Sequence, residues 1–326
     1  MILDEAQAIK NHQAIRSERI RKIKANTRLC LTGTPIENSL EDIWSLFLFL
    51  MPGFFKNLNE FNDEFENDFD KLNKKIAPFI LRRTKKDVLS ELPDKYEEII
   101  TTEISADERK IYEALRLEAS KFLNEKGSLM KIFTYLTRLR QVCVSPELFV
   151  DGYKGNSSKI DTLINILKEA KENGNKVLVF SQFVSSFPII EERLKSLSIN
   201  YDLITGKTSS LKRTQIVDNF NASSKINVLL ISLKAGGTGL NLTSADTVIH
   251  LDPWWNVAVE NQATDRAHRI GQTKNVHVIK LICDDTIEQR VLTLQTKKKE
   301  LFDAIVDHKD DSMSVLSEDD IKFILS

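Results

Sequence analysis

The chain has few cysteines, prolines and glycines and almost no net charge. Its 326 residues include three cysteines, seven prolines and eleven glycines, and the formal net charge is -1. Cys30, Cys143 and Cys283 are far apart and form no C-x-x-C pair, which argues against a disulfide scaffold or a zinc finger and indicates buried thiols in a reducing compartment. The balanced charge excludes a histone-like polybasic protein, so any contact with nucleic acid must come from local patches.

Long hydrophobic runs are also missing. The longest apolar stretch, residues 43–51, contains a serine and is about half as long as a membrane-spanning helix. The first ten residues, MILDEAQAIK, do not resemble a signal peptide, so no membrane partner is expected. With 41% hydrophobic and 29% charged residues, the chain has enough apolar material for two domain-sized cores.

From about residue 157 onward, short β-rich runs alternate with helical patterns, which is typical of βαβ units around a parallel sheet. Ser157 and Ser158 can cap an amphipathic run that stops near Gly174. The predicted strands are residues 176–180, 201–204, 227–231, 247–251 and 276–281. They predict one complete α/β domain over residues 156–306, which ends in a long helix at 287–305.

The N-terminal part, residues 1–87, contains two strand candidates, residues 2–3 and 28–31, and an amphipathic helix over residues 40–51. Two strands cannot complete a sheet. The chain also opens directly on a hydrophobic strand end, so we expect it to begin inside a domain. Residues 1–87 are therefore predicted to be the remnant of a second α/β domain.

The connecting segment and the C-terminus differ from both domains in composition. Residues 105–150 are charged and show helical spacing of apolar residues, so residues 88–155 are predicted to form a helical insertion. Residues 307–326 are predicted to form a loose acidic tail.

Two adjacent carboxylates, Asp4 and Glu5, follow the first predicted strand directly. Open α/β sheets bind ligands at the carboxyl ends of their strands. In a nucleotide hydrolase, one such carboxylate holds magnesium and the other orients or deprotonates the attacking water. Asp-Glu pairs are also common surface dipeptides, so this interpretation depends on the neighbouring motifs.

A small polar turn follows the second predicted strand, at the edge of the sheet where Asp4 is expected. It contains Thr32, Gly33 and Thr34, whose two hydroxyl groups are candidates for sensing bound phosphate. An ordinary strand-to-helix turn is the alternative interpretation.

A third polar cluster contains Gln262, Arg266 and Arg269. Their spacing of four and three residues predicts one helical face, and Gly271 can end that helix. Two arginines held rigidly at a domain edge suit an arginine finger, which stabilises negative charge on a γ-phosphate. A solvated arginine-rich helix is the alternative interpretation.

Seven short motifs occur in a fixed order along the chain. They are DEAQ at 4–7, LTGTP at 31–35, LRRTKKDV at 81–88, LVFSQF at 178–183, SLKAGGTGLNL at 232–242, DPWWN at 252–256 and QATDRAHRIGQ at 262–272. As a set, they resemble the Swi/Snf family of superfamily-two helicase-like ATPases over nearly the whole chain. The resemblance implies two RecA-like lobes, the first partial and the second complete, joined by a helical insertion. It also implies ATP and Mg²⁺ as cofactors and movement along double-stranded DNA.

The family resemblance implies roles at the nucleotide for individual residues of this chain. Asp4 resembles the magnesium-binding acid and Glu5 the water-activating acid. Arg266 and Arg269 resemble the catalytic arginines, and Arg269 is our candidate for the finger. The other residues that would face the nucleotide are Gln262, Thr32, Gly33 and Thr34.

The resemblance also implies contacts with DNA. The loop at 234–241 resembles a motif whose glycines let the backbone approach DNA phosphate, although a plain glycine-rich connection is the alternative. Ser181 and Gln182 resemble a motif near the same cleft, with a polar turn as the alternative. The implied DNA-contacting residues are Lys234, Gly236, Gly237, Gly239, Asn241, Trp254, Arg82 and Arg83, with Lys85 and Lys86 in the same basic segment. Paired tryptophans are more often core residues, and charge runs are more often solvated.

One motif of the family is missing. No G-x-x-x-x-G-K-[ST] sequence, the loop that holds the ATP phosphates, precedes Asp4. Gly206-Lys207-Thr208 resembles the end of such a loop, but Tyr201 occupies the position of its first glycine and the segment belongs to the second lobe. We therefore expect this chain by itself to hydrolyse ATP poorly or not at all.

The leading hypothesis is part of an ATP-driven translocase on double-stranded DNA, with DNA-bound proteins as further partners. A non-catalytic DNA-binding or assembly module and a strand-separating helicase are the alternatives. The segments DEAQ and ENSLEDIWSLF resemble bacterial members of the family more than chromatin-associated ones. This favours a bacterial cytoplasm, in association with the nucleoid, over a eukaryotic nucleus.

Overall fold

The computed structural model describes residues 1–33, 40–65, 68–81, 83, 85, 89, 91–123, 129–236, 239–253, 257–306 and 323–325. The chain divides into two compact units. Unit 1 contains residues 1–84 and 294–321, and unit 2 contains residues 85–293 and 322–326. Among the described residues, no helix is both long and apolar enough to cross a membrane.

Unit 1 begins with two short parallel strands, β1 (Ile2–Leu3) and β2 (Leu29–Cys30). A 3-10 turn (Ala6–Ile9) and helix α1 (Ile15–Arg21) connect them. Both strands lie where the hydrophobic pattern predicted them. Parallel pairing brings their carboxyl ends to the same edge, which is the geometry that the two polar motifs require.

The residues described between positions 40 and 79 of unit 1 are mainly helical, and their core is aromatic. Phe47, Phe55, Phe61 and Phe65 are buried against one another: Phe47, Phe61 and Phe65 lie on the inner faces of consecutive helices, and Phe55 lies in the connection between them. The first of these helices ends before Gly53, whose φ of 87° lies in the left-handed region that favours glycine. The helices are α2 (Leu40–Leu50), α3 (Leu58–Phe65) and α4 (Phe69–Ile76), followed by a 3-10 turn (Ala77–Phe79).

Unit 2 contains a six-stranded sheet in which every strand pairing is parallel. The strand order is β3-β8-β7-β4-β6-β5. The bounds are β3 (Lys95–Thr102), β4 (Val177–Ser181), β5 (Tyr201–Ile204), β6 (Val228–Ser232), β7 (Thr247–His250) and β8 (Val276–Cys283). The parallel α/β class predicted from the alternating pattern is confirmed, and five of the six strands lie where they were predicted.

Strand β3 is the one that the sequence analysis missed. It lies in the segment 88–155, which we expected to be a helical insertion, and pairs along its length with β8, from Lys95 opposite Val276 to Thr102 opposite Cys283. As an edge strand with mostly exposed residues, it carries charges instead of the continuous apolar run that marks a central parallel strand. The domain boundaries themselves stay a prediction.

Helices cover both faces of the sheet in unit 2. Along β4, Val177 and Val179 point into one core cluster, and Leu178 and Phe180 point into the other. The central strands are therefore apolar at most positions and buried at every one. The other α-helices given for the described residues are α5 (Ala106–Lys121), α6 (Leu129–Val144), α7 (Ser158–Glu172), α8 (Phe187–Ser196), α9 (Ser210–Ala222), α10 (Leu233–Gly236), α11 (Val257–Thr264) and α12 (Ile287–Val306).

Candidate functional site

The carboxyl edge of unit 1 brings its two polar motifs into contact. Backbone pairing continues past the strand ends, since the amide of Leu31 donates to Leu3 O at 2.7 Å. A chain of side-chain hydrogen bonds then joins the motifs: Thr32 Oγ1 donates to Gln7 Oε1 at 2.8 Å, and Gln7 Nε2 donates to Glu5 Oε2 at 2.6 Å. Gln7 was not among the predicted site residues, although it lies within the quoted DEAQ motif.

Asp4 and Glu5 are both exposed at this edge. Glu5 has a φ of 50°, a left-handed conformation that is uncommon for a residue with a side chain and that occurs more often at functional sites. The turn is closed by a hydrogen bond of 2.9 Å from the Glu5 amide to Asp4 Oδ1. Carboxylates, an amide oxygen and a hydroxyl group are hard oxygen donors, so this set fits Mg²⁺, which binds few protein carboxylates and keeps several water ligands.

In unit 2, residues 262–272, the arginine segment, are hydrogen-bonded to residues of the motif at 232–242, the glycine segment. Arg266 Nε donates to Gly236 O at 3.0 Å, and Arg269 Nη1 donates to Leu240 O at 3.3 Å. The backbone amide of Leu242 donates in return to Arg266 O at 2.9 Å. Three hydrogen bonds therefore join the segment that resembles the catalytic-arginine motif to the one that resembles a DNA-contacting motif.

The predicted helical face for Gln262, Arg266 and Arg269 is wrong. Helix α11 ends at Thr264, so only Gln262 lies in it. Beyond Thr264 the chain forms turns. The amide of Arg266, for example, donates to Ala263 O at 3.1 Å, three residues earlier, as in a 3-10 turn. Gly271, with a φ of 99°, ends these turns and does not end a helix.

Two glycines of the segment 234–241, Gly236 and Gly239, are favoured by the local structure, independently of any contact with DNA. A Cβ atom on Gly236 would lie 2.7 Å from the ring of Phe180, so packing within unit 2 already requires glycine there. Gly239 has a φ of 34°, which also favours glycine. Lys234 and Asn241 are both exposed, and the carbonyl of Asn241 accepts a hydrogen bond of 2.9 Å from Asn221 Nδ2.

Lys85, which the sequence analysis grouped with the phosphate-contacting candidates, has partners within unit 2. Its Nζ lies 2.5 Å from Asp265 Oδ1 and donates to His268 O at 2.7 Å. His268 Nε2 is in turn 2.7 Å from Pro93 O. Lys85 is thus bound to residues of the arginine motif within unit 2.

A further polar cluster joins the turns that follow β4 and β7. The amide of Gln182 donates to both oxygens of Asp252, at 3.1 and 3.2 Å. Arg140, on helix α6, donates to Gln182 Oε1 at 3.1 Å and to Pro253 O at 2.8 Å. Gln182 was among the predicted residues, Asp252 lies within the quoted DPWWN motif but was given no role, and Arg140 was not predicted. Arg140 carried a signal, because it falls on the apolar stripe formed by Leu136, Leu139 and Cys143.

Burial raises the pKa of Asp252 to about 6, while the charge of Arg140 and the hydrogen bonds from Ser181 and from the Gln182 backbone act in the opposite direction. His250, at the end of β7, is also fully buried, and burial lowers its pKa to about 4. Its Nε2 lies 2.9 Å from Thr264 Oγ1. The imidazole is therefore neutral at physiological pH and has a structural partner.

The other predicted site residues divide into two groups. Gly33 and Arg83 are exposed, and a Cβ atom on Gly33 would meet nothing within 4 Å. The remaining predicted positions, Thr34, Arg82, Lys86, Gly237 and Trp254, lie outside the described residues. The functional roles of all the predicted site residues stay predictions.

Comparison with known proteins agrees with this architecture. A family model for the SNF2-related domain matches residues 1–148, and a model for the helicase conserved C-terminal domain matches residues 158–271. The two matches define a helicase-like α/β protein.

Among the relatives, an uncharacterized ATP-dependent helicase of Mycoplasma genitalium is 43% identical over 309 residues, which are 92% of this chain and 30% of that protein. The putative ATP-dependent helicase/translocase YwqA of Bacillus subtilis is 37% identical over 93% of this chain and 35% of its own length. The SWI2/SNF2 ATPase core of Sulfolobus solfataricus, solved in complex with dsDNA, is 34% identical with a TM-score of 0.60. That match covers 99% of this chain and 72% of that one.

The chain belongs to the SWI2/SNF2 family of helicase-like ATPases. The family resemblance identified from the seven motifs is thereby confirmed. The chain spans about a third of the length of the curated relatives described above, from 30% to 35%.

Proposed function

We propose that this chain is part of an ATP-dependent translocase on double-stranded DNA. The three hydrogen bonds between the arginine segment and the glycine segment carry this proposal. They connect the residues expected at the nucleotide to those expected at DNA phosphate, so a displacement of Arg266 or Arg269 is transmitted to the loop beside Lys234. Such a connection is what a motor needs in order to couple nucleotide state to its grip on DNA.

At the nucleotide, Asp4 would hold Mg²⁺ and Glu5 would orient the attacking water. The hydrogen-bond chain through Gln7 to Thr32 fixes the Glu5 carboxylate and links it to the turn expected at the phosphates. Arg269 would exchange a hydrogen bond to a neutral carbonyl for a stronger one to phosphate oxygen. When bound, Mg²⁺ and ATP would supply the electrophilic phosphate and neutralise part of its charge.

At DNA, exposed Lys234 would contact duplex phosphate, together with the backbone of the adjoining glycine segment and Arg83. The test is binding of a short duplex oligonucleotide as a function of salt. Lys234→Ala is expected to lower the slope of log affinity against log salt by about 1. Lys168→Ala is the matched control, because Lys168 is exposed near the end of α7, close to the amino ends of the strands. Equal slopes in the two variants would contradict the proposed contact.

A second assay separates the proposed translocase from a non-catalytic DNA-binding module. We propose that this chain by itself hydrolyses ATP poorly or not at all, with or without duplex DNA, since its sequence contains no G-x-x-x-x-G-K-[ST] loop. DNA-stimulated turnover that disappears in Arg269→Ala would contradict that expectation and support catalysis by these residues. An effect of added nucleotide on DNA affinity favours a translocase, and its absence favours a binding module.

A further inference from the structure

Arg140 is a buried charge on the core-facing side of helix α6. Its side chain is 4% exposed, and the neighbouring positions on the same stripe, Leu136, Leu139 and Cys143, are buried as well. Charged side chains occupy such positions only when hydrogen bonds offset the loss of water. The partners of Arg140 therefore indicate why a cation stands there.

The guanidinium spans the turns at the ends of two adjacent strands. Strands β4 and β7 pair side by side, and Gln182 follows the first while Asp252 and Pro253 follow the second. One nitrogen of Arg140 bonds the Gln182 side chain, and the other bonds the Pro253 carbonyl and lies 3.5 Å from the Asp252 carboxylate. The planar group also lies over the ring of Phe183, 5.2 Å from its centroid. Its orientation is therefore fixed from several sides.

We propose that Arg140 is a positioning residue for the DNA-binding edge of unit 2, holding the Gln182 turn and the Asp252–Pro253 turn in one arrangement. The inference rests on the proposed DNA function, since the carboxyl ends of parallel strands are where α/β sheets bind ligands. Because Arg140 is buried, it acts through the two turns and does not touch DNA. A lysine lacks the planar fork that bonds two segments at once, so it is not an equivalent replacement.

The test uses a variant from which both buried charges are removed, Arg140→Met with Asp252→Asn. Removing the pair avoids an unpaired buried carboxylate, so the double variant is expected to fold. Without the guanidinium, nothing ties the Gln182 side chain to the Pro253 carbonyl, and we expect about tenfold weaker binding of a short duplex oligonucleotide. The salt slope should stay unchanged, because no phosphate contact is lost.

Arg138→Met is the matched control. Arg138 lies on the same helix, and its guanidinium packs over the rings of Tyr135 and Phe149. Its loss should leave the affinity for the duplex within about twofold of the unaltered chain. Unaltered affinity in the folded double variant would overturn the proposal. A salt slope lowered by about 1 would also overturn it, because it would place Arg140 on phosphate.

A pH series on stability tests the link between Arg140 and Asp252 independently of DNA. The charged groups that act on Asp252 are Arg140 and Lys159. A carboxyl group whose pKa is raised in the folded state destabilises that state as it ionises. Arg140→Met should raise the pKa of Asp252 further, so its loss of Tm relative to the unaltered chain should grow between about pH 5 and pH 8. A pH-independent loss would overturn the proposed link.

Duplex binding by the unaltered chain and by the double variant distinguishes a failure of this inference from a failure of the function on which it rests. Absence of duplex binding by the unaltered chain would overturn the proposed function, and this inference with it. Duplex binding by the unaltered chain, together with full affinity in the folded double variant, would overturn only the positioning role of Arg140.

Discussion

The two units hold a lysine ammonium group in opposite ways. In unit 2, Lys159 is completely buried and hydrogen-bonds to the Glu288 carboxylate and to the carbonyls of Leu251 at 3.1 Å and Leu281 at 3.2 Å. Burial is the largest single influence and would lower the pKa of Lys159, but the charge and hydrogen bond of Glu288 together with the neighbouring Cys283 and Cys143 outweigh it, so the pKa lies above its ordinary value. The ammonium stays charged within the core.

In unit 1, Lys75 keeps 37% of its side chain exposed. Its Nζ lies 5.2 to 5.8 Å from the ring centroids of Phe54, Phe55 and Phe65, and 3.9 Å from the Glu64 carboxylate. The rings attract the cation through their negative faces while water still reaches it.

The comparison shows what each arrangement requires of the rest of the fold. A fully buried charge needs a complete set of partners, and removing it leaves an opposite charge without compensation. A cation over rings can be removed without leaving a buried charge behind. Substitutions should therefore have larger effects in unit 2 than in unit 1.

The largest effect is expected for Lys159→Met. It leaves Glu288 buried without its cation, so the free energy of unfolding should fall by about 3–5 kcal/mol. Denaturant unfolding monitored by circular dichroism measures this change. Lys168→Met, on the exposed side of the same helix, is the control and should change stability by less than about 0.5 kcal/mol. Similar losses of unfolding free energy in the two variants would contradict the expected difference between a buried and an exposed lysine.

An intermediate effect is expected for Gly236→Ala, which brings a methyl group to 2.7 Å from the Phe180 ring. Because the ring is buried and cannot move away freely, we expect a loss of about 1–3 kcal/mol in thermal or denaturant unfolding. Gly33→Ala is the matched change after a strand of unit 1, where nothing lies within 4 Å of the added carbon. A loss of stability in Gly33→Ala as large as in Gly236→Ala would contradict the difference in space around the two glycines.

The smallest effect is expected for Lys75→Met, which removes the cation from the three rings but retains apolar contact. We expect a loss of about 1 kcal/mol, measured by the same unfolding assay, and Lys75→Arg should recover most of it. Lys74→Met, at an exposed position of the same helix, should be neutral. A loss at Lys75 equal to that at Lys159 would contradict the ranking of the two units.

Much of the fold could be predicted from the sequence because its central strands are buried on both faces. The run from Val177 to Ser181 is apolar at nearly every position and is bounded by polar turns, so its pattern alone marks a strand. Strand β3 escaped detection because an edge strand with exposed charges has no such pattern. The helical face assigned to Arg266 and Arg269 failed because spacing does not reveal where a helix ends.

The candidate site was predictable only where it follows directly from strand ends. Glu5 and Thr32 are linked through Gln7 at the edge where the two parallel strands end, and Asp4 precedes Glu5 there. Arg140 has partners 42 to 113 residues away in the chain, so no local motif connects them. The sequence showed only that a charged residue lies on an apolar helical stripe. Its partners, Gln182, Asp252 and Pro253, could be found only from the fold.

The most direct test of coupling between the arginine and glycine segments is duplex DNA binding by Arg266→Met as a function of salt. Arg266 donates to the Gly236 carbonyl and is not proposed to contact DNA, so its loss should weaken binding by loosening the glycine segment. The slope of log affinity against log salt should remain that of the unaltered chain, whereas Lys234→Ala should lower it by about 1. Unchanged affinity in a folded Arg266→Met variant, or a slope lowered as in Lys234→Ala, would contradict the account.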